Sequence, residues 1–141
     1  MQALHFQTTR SVVYEAGATA KIGPIMADRG CTSIAFVTDK SLLSLGLADA
    51  ALDSLKKAGL KVWVFDDVVA DPPESMILNA VAQAKEHGID GVVSVGGGSP
   101  MDTAKLIAVL CNTDQPLADM YGVGQVRGER LPLILAPTTA G

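Results

Sequence analysis

The feature that most constrains this chain is a repeated switch in hydrophobic period. Short runs rich in β-branched and apolar residues alternate with segments whose apolar residues recur at helical spacing. Strands are expected at Ser11 to Glu15, Thr32 to Thr38, Lys61 to Phe65, Gly91 to Val95 and Leu133 to Ala136. A short helix is expected over Ala18 to Arg29, ending at Gly30. A second carries Ala48, Ala51, Leu52 and Leu55 on one face and ends in Lys56-Lys57-Ala58-Gly59, a cationic last turn followed by a left-handed glycine position. The break at Asp71-Pro72-Pro73-Glu74 opens a third, with Ile77, Ala80, Val81 and Ala84 as its buried stripe and His87-Gly88 as its end. A fourth carries Ala104, Ile107, Ala108 and Cys111, and a short one is expected near Leu117 to Tyr121. Strands separated by helical crossovers of this length must run parallel. The expected fold class is therefore α/β, a mostly parallel sheet with helices on both faces.

Composition narrows the partners. With 48% hydrophobic residues over 141 positions, the chain can bury a core of its own. Its formal charge of −4 and the lack of any Lys/Arg cluster argue against nucleic acid or an anionic membrane surface as partner. No apolar run approaches the length of a membrane span, and the first ten residues have neither the basic nor the apolar part of a secretory signal. Cys31 and Cys111 are isolated and flanked by small or apolar residues, so they read as small buried hydrophobes in a reducing compartment. The expected location is the cytoplasm. The chain ends on an apolar run and a turn-like Pro-Thr-Thr-Ala-Gly, where a domain usually closes on an exposed polar segment; a cut inside a larger protein is expected. Such an apolar end would promote non-native association, and a homo-oligomer stays open.

In parallel sheets ligands bind at the carboxyl ends of the strands, which singles out Thr38-Asp39, Gly96 to Asp102 and Pro137 to Gly141. Gly96-Gly97-Gly98-Ser99-Pro100-Met101-Asp102 is the most informative of these. Three residues without Cβ let a ligand approach the backbone N–H groups, and the helix start beyond them favours an anion such as a phosphate or pyrophosphate. Ser99 is expected as the N-cap, Pro100 at the first helical position and Asp102 as a capping-box acid. The bland alternative is a tight turn that needs glycine only for its backbone angles. Asp102 either caps or faces another part of the ligand, and Lys105 reads as a solvated helix-face lysine. The spacing is neither G-x-G-x-x-G nor a P-loop. Asp39, at the end of Ile-Ala-Phe-Val-Thr, has two readings as well. It can accept hydrogen bonds from ribose hydroxyls and repel a 2′-phosphate, favouring NAD over NADP, or it can cap the following helix.

Other chemistries find little support. His5 and His87 have no partners at metal-ligand spacing, and His87 reads as a helix C-terminal residue. Ser94 and Ser99 lack a paired base, so a hydrolase is not expected. Trp63, in Lys-Val-Trp-Val-Phe, reads as sheet packing.

Gly96-Gly97-Gly98-Ser99-Pro100-Met101-Asp102-Thr103-Ala104-Lys105 resembles the G-G-G-S-x-x-D-x-x-K signature of the iron-containing (group III) alcohol dehydrogenases. Leu133 to Gly141, with Pro137-Thr138-Thr139-Ala140-Gly141, is similar to the start of that family's P-T-T-x-G-T-G-S-E segment. Val37-Thr38-Asp39 and the Asp71-Pro72 turn fall where the family places nucleotide contacts, although Asn is commoner there than Asp71. The resemblance implies a dehydroquinate synthase-like nucleotide-binding domain over residues 1–141, truncated at its C-terminal end. It implies that Asp39 meets the adenosine ribose and that Gly96, Gly97, Gly98 and Ser99 cradle the pyrophosphate. Thr138 and Thr139 would lie toward the adenine side, Asp102 toward the nicotinamide, and Asp71 would add a contact.

The implied activity is hydride transfer between NAD, in preference to NADP, and a small alcohol or aldehyde. In the family an all-helical domain holds Fe2+ or Zn2+ through one Asp and three His, as a Lewis acid toward the substrate oxygen. That domain is absent from this chain, which therefore holds no catalytic and no metal-binding residue and is expected to be inactive alone. The alternatives are a glycerol dehydrogenase-like or dehydroquinate synthase-like relative, or a stand-alone nucleotide-binding module without catalysis.

Overall fold

The computed structural model describes residues 10–120 and 127–138. Four parallel strands form the sheet: β1 (Ser33–Val37), β2 (Lys61–Phe65), β3 (Gly91–Gly96) and β4 (Leu133–Pro137), in the spatial order β2-β1-β3-β4. Five helices accompany them: α1 (Ile22–Asp28), α2 (Lys40–Ser44), α3 (Asp49–Lys57), α4 (Glu74–Glu86) and α5 (Gly98–Leu110). Turns of 3-10 helix at Ala18–Lys21 and Leu117–Met120 complete the regular structure.

Two apolar layers sandwich the sheet. Ile22 and Met26 of α1, with Ala51 and Leu55 of α3, pack on Ile34, Phe36, Val93 and Val95. Ile77, Ala80, Val81 and Ala84 of α4 pack with Ala104, Ile107 and Ala108 of α5 on Ala35, Val37 and Val92. The alternate residues of β1 and β3 thus serve opposite faces, as the two-residue period of a strand requires. Because both faces are covered, all five residues of β1 are buried. The stripes expected from sequence on α3, α4 and α5 face the core, except that Cys111 is only half-buried, at the cap of α5.

One expected strand does not form. Ser11 to Glu15 is irregular, with Val12, Val13 and Tyr14 exposed. A β-branched run favours extended backbone, but a strand also needs a neighbour to take its N–H and C=O groups. Among the described residues, none of the four strands pairs with it. His5 and Tyr121 lie outside the described residues.

Candidate functional site

The strand order fixes where a ligand can enter. From β1 the chain steps to β2 on one side, then returns across β1 to β3 on the other. Right-handed crossovers in opposite directions carry their helices to opposite faces, and a crevice opens between the carboxyl ends of β1 and β3. Asp39 follows β1 and Gly97 follows β3, so the topology sets the two leading sequence candidates on either side of this switch point.

At the glycine turn, the start of α5 differs from expectation. The N-cap is Gly97, with Gly98, Ser99 and Pro100 as the first three helical residues and no side-chain cap. Ser99 is therefore not the cap. Asp102 lies beyond the capping-box position, exposed, with an oxygen 3.3 Å from Lys105 Nζ. Pro100 tolerates the third position because first-turn N–H groups have no helical acceptor to lose. Backbone angle explains none of the three glycines, since Gly96, Gly97 and Gly98 all lack positive φ, and space explains Gly96. A Cβ on Gly96 would come within 2.8 Å of the Pro100 ring and 3.3 Å of Leu42. A Cβ on Gly98 would meet nothing within 4 Å. Nothing in the fold requires glycine at 98, and the space beside it is open. Among the described residues the N–H groups of Gly97, Gly98 and Ser99 find no acceptor, which leaves three donors at the positive end of a 13-residue helix.

On the β1 side, Asp39 is half-buried and does cap α2. Its Oδ1 accepts from Leu42 N–H at 2.9 Å and from the Ser41 hydroxyl at 2.5 Å. The bond from Ser41, then that from Leu42, holds its carboxyl below the ordinary value, so the group is an anion at neutral pH. Both of these bonds fall on Oδ1. Thr38 braces this corner: its hydroxyl donates to the Val95 carbonyl at 2.8 Å, and its N–H to the Phe65 carbonyl at 3.1 Å. Thr138 sits at the end of β4, where its N–H donates to the Gly96 carbonyl at 3.0 Å. Thr139 lies outside the described residues. Asp71 lies between β2 and α4. It adopts φ 46°, a conformation that Asp and Asn accept more readily than other side chains. It lines a groove of about 340 Å³ with Pro72, Glu74, Ile77, Leu106 and Leu117.

The remaining candidates are structural. His87 caps α4 and stacks on Trp63, with ring centroids 5.2 Å apart. Ser94 is fully buried, and its hydroxyl has no partner among the described residues. Sequence reasoning missed one pair, Lys40 and Asp67, whose Nζ and Oδ1 lie 2.5 Å apart. The available signal was the Asp66-Asp67 run just past β2, at the same carboxyl edge. Among the described residues no three His, Cys, Asp or Glu side chains converge.

The family model described as iron-containing alcohol dehydrogenase matches residues 9–141. The chain belongs to this family. It is 41% identical over 109 residues to the 4-hydroxybutyrate dehydrogenase of Cupriavidus necator, covering 74% of this chain and 28% of that protein. It is 39% identical over 128 residues to long-chain-alcohol dehydrogenase 1 of Geobacillus thermodenitrificans, covering 89% and 32%. Sulfoacetaldehyde reductase from Bifidobacterium kashiwanohense, solved in complex with NAD+, superposes with a TM-score of 0.76 at 32% identity, over 89% of this chain and 33% of that one. The chain thus spans about a third of the length of these relatives. Among the described residues no helix is long and apolar enough to cross a membrane.

Proposed function

We propose that residues 1–141 form the NAD-binding part of a cytoplasmic, metal-dependent alcohol dehydrogenase, which transfers hydride between the nicotinamide and a small alcohol or aldehyde. The observation that carries this reading is the open space at Gly98, framed by unpaired N–H groups at a topological switch point. Open space beside backbone N–H donors, at a free helix N-terminus, suits the pyrophosphate of a dinucleotide. The NAD+ complex of the similar sulfoacetaldehyde reductase supports the choice of ligand.

In this reading Gly97, Gly98 and Ser99 hold the pyrophosphate through their N–H groups, and Gly96 lets Pro100 pack close enough to aim them. Asp39 accepts from the ribose hydroxyls through Oδ2. Asp102 lies toward the nicotinamide, Thr138 and Thr139 toward the adenine side, and Asp71 adds a contact from its groove. When bound, the nicotinamide ring supplies the hydride acceptor; this chain binds and orients it. Fe2+ or Zn2+ would be held by residues outside this chain, and no step is assigned to it.

Gly98→Ala tests the cradle. The methyl enters open space on a helical residue, so the melting temperature should hold or rise slightly, while NAD+ affinity by calorimetry falls about tenfold or more. Unchanged affinity in Gly98→Ala would remove the cradle.

A further inference from the structure

We infer that the Lys40–Asp67 ion pair is a second determinant of nucleotide choice: Asp67 occupies the cation adjacent to Asp39 and so denies it to a 2′-phosphate. The inference rests on the proposed contact between Asp39 and the adenosine ribose. Lys40 is the first residue of α2, directly after that acid. A lysine or arginine in this place is the usual chemistry for accepting a 2′-phosphate. Here its Nζ lies 2.5 Å from Asp67 Oδ1. The Asp67 hydrogen bond and charge, followed by the charge of Asp66, raise its pKa. The contact is built into the fold, because the backbones of Asp39 and Asp67 form an antiparallel bridge beyond the ends of β1 and β2. Asp67 is therefore tied beside the ribose acid by main-chain pairing.

Among the described residues, the charges gathered at this rim include Asp39, Asp66, Asp67 and Lys40. A 2′-phosphate arriving there meets three carboxylates and a lysine already engaged. NAD+, which carries no charge at the ribose 2′ position, meets no such penalty. Both side chains of the pair are 70% exposed, so the pair is weak as a stabilising contact and easily opened by substitution. Its consequence lies in selectivity rather than folding.

The test is a double-mutant cycle on the intact protein, with dissociation constants for NAD+ and NADP+ measured for wild type, Asp67→Asn, Lys40→Gln and the double variant. Asp67→Asn should tighten NADP+ by about threefold to tenfold and leave NAD+ within about twofold. Lys40→Gln alone should leave NADP+ no tighter and somewhat weaker, since it bares the Asp67 charge and frees no cation, and it should take away most of the gain in the double variant. Where NADP+ binds too weakly to register, the same cycle is run in an Asp39→Gly background. Unchanged NADP+ affinity in Asp67→Asn overturns the inference. So does a gain that is undiminished without Lys40, because that gain would be relief of repulsion alone. Asp39→Gly by itself separates the two levels. If it leaves the NAD/NADP preference intact, the ribose reading fails; if it erodes the preference while Asp67→Asn does nothing, only the second determinant fails.

Discussion

Asp90 and Asp39 are both carboxylates held by local donors, yet they sit at opposite edges of the sheet. Asp90 lies at the amino edge, just before β3, where the Thr32 N–H reaches both its oxygens at 2.9 Å. The Thr32 hydroxyl adds a bond at 2.8 Å and the Ser33 N–H another at 2.9 Å. Partial burial would raise its pKa, but the hydrogen bonds from Ser33 and Thr32 together outweigh that and lower it. A carboxyl depressed in the folded state adds stability that is fully present above its unfolded value, near 4. That stability is lost as pH falls through the lower folded value. Asp90→Asn presents an amide to donors that need an acceptor, so it should cost about 1–3 kcal/mol at neutral pH. Denaturant titrations of both proteins should converge below about pH 4. NAD+ affinity should be unaffected, because the proposed site lies at the other edge. A constant gap down to pH 3 would count against the hydrogen-bond account.

Between β3 and α5 the same logic operates on a whole element. The Pro100 ring and Leu42 side chain leave no room above Gly96, and this close approach sets the start of α5 against the strand. Gly96→Ala must push the ring aside, at a cost of about 1–3 kcal/mol, and tilt the helix start away from its aim. NAD+ affinity and melting temperature should therefore fall together in Gly96→Ala, whereas Gly98→Ala should lower affinity alone. Equal melting temperatures for Gly96→Ala and wild type would contradict the packing account. These joints also mark where the sequence is legible. The stripes of α3, α4 and α5 and the runs of β1 and β3 can be read because those faces are buried continuously, so period alone reports them. In contrast β2, at the sheet edge and partly exposed, is read from its β-branched and aromatic run. The start of α5 is misread by two residues because Ser-Pro mimics an N-cap and first position. The helix starts at Gly98 with no side-chain cap to mark it in the sequence, and the approach of Leu42 to Gly96 is tertiary. Ser11 to Glu15 is misread because strand propensity says nothing about a partner. The places of Asp39 and the glycine turn at strand ends are legible from the sequence, but the Lys40–Asp67 pair, bridged across 27 positions, is not.

At the scale of the whole molecule, the sheet couples two cores that share no helix. Trp63, the only tryptophan in the sequence, packs against the layer formed by α4 and α5 and stacks on His87. Cys31 is buried in the other layer, with α1 and α3, and its thiol donates to the Asp90 carbonyl at 3.6 Å. Burial, and then the charge of Asp90, pushes that thiol's pKa up, so it reacts only when its layer opens. Cys111 packs against the same layer as Trp63, so the two thiols lie on opposite sides of the sheet and cannot meet in the folded state. These positions give an independent probe for each layer. In a Cys111→Ser variant, labelling of Cys31 should rise with denaturant along the same curve as the change in Trp63 fluorescence. Every residue of β1 and β3 is buried, with neighbours contributing to opposite layers, so neither layer can dissolve without exposing the other's strands. Labelling of Cys31 at clearly lower denaturant than the Trp63 transition would show the layer under α1 and α3 opening as its own unit. The sheet would then be a hinge between two halves, and the corner at Asp39 would loosen ahead of the glycine turn.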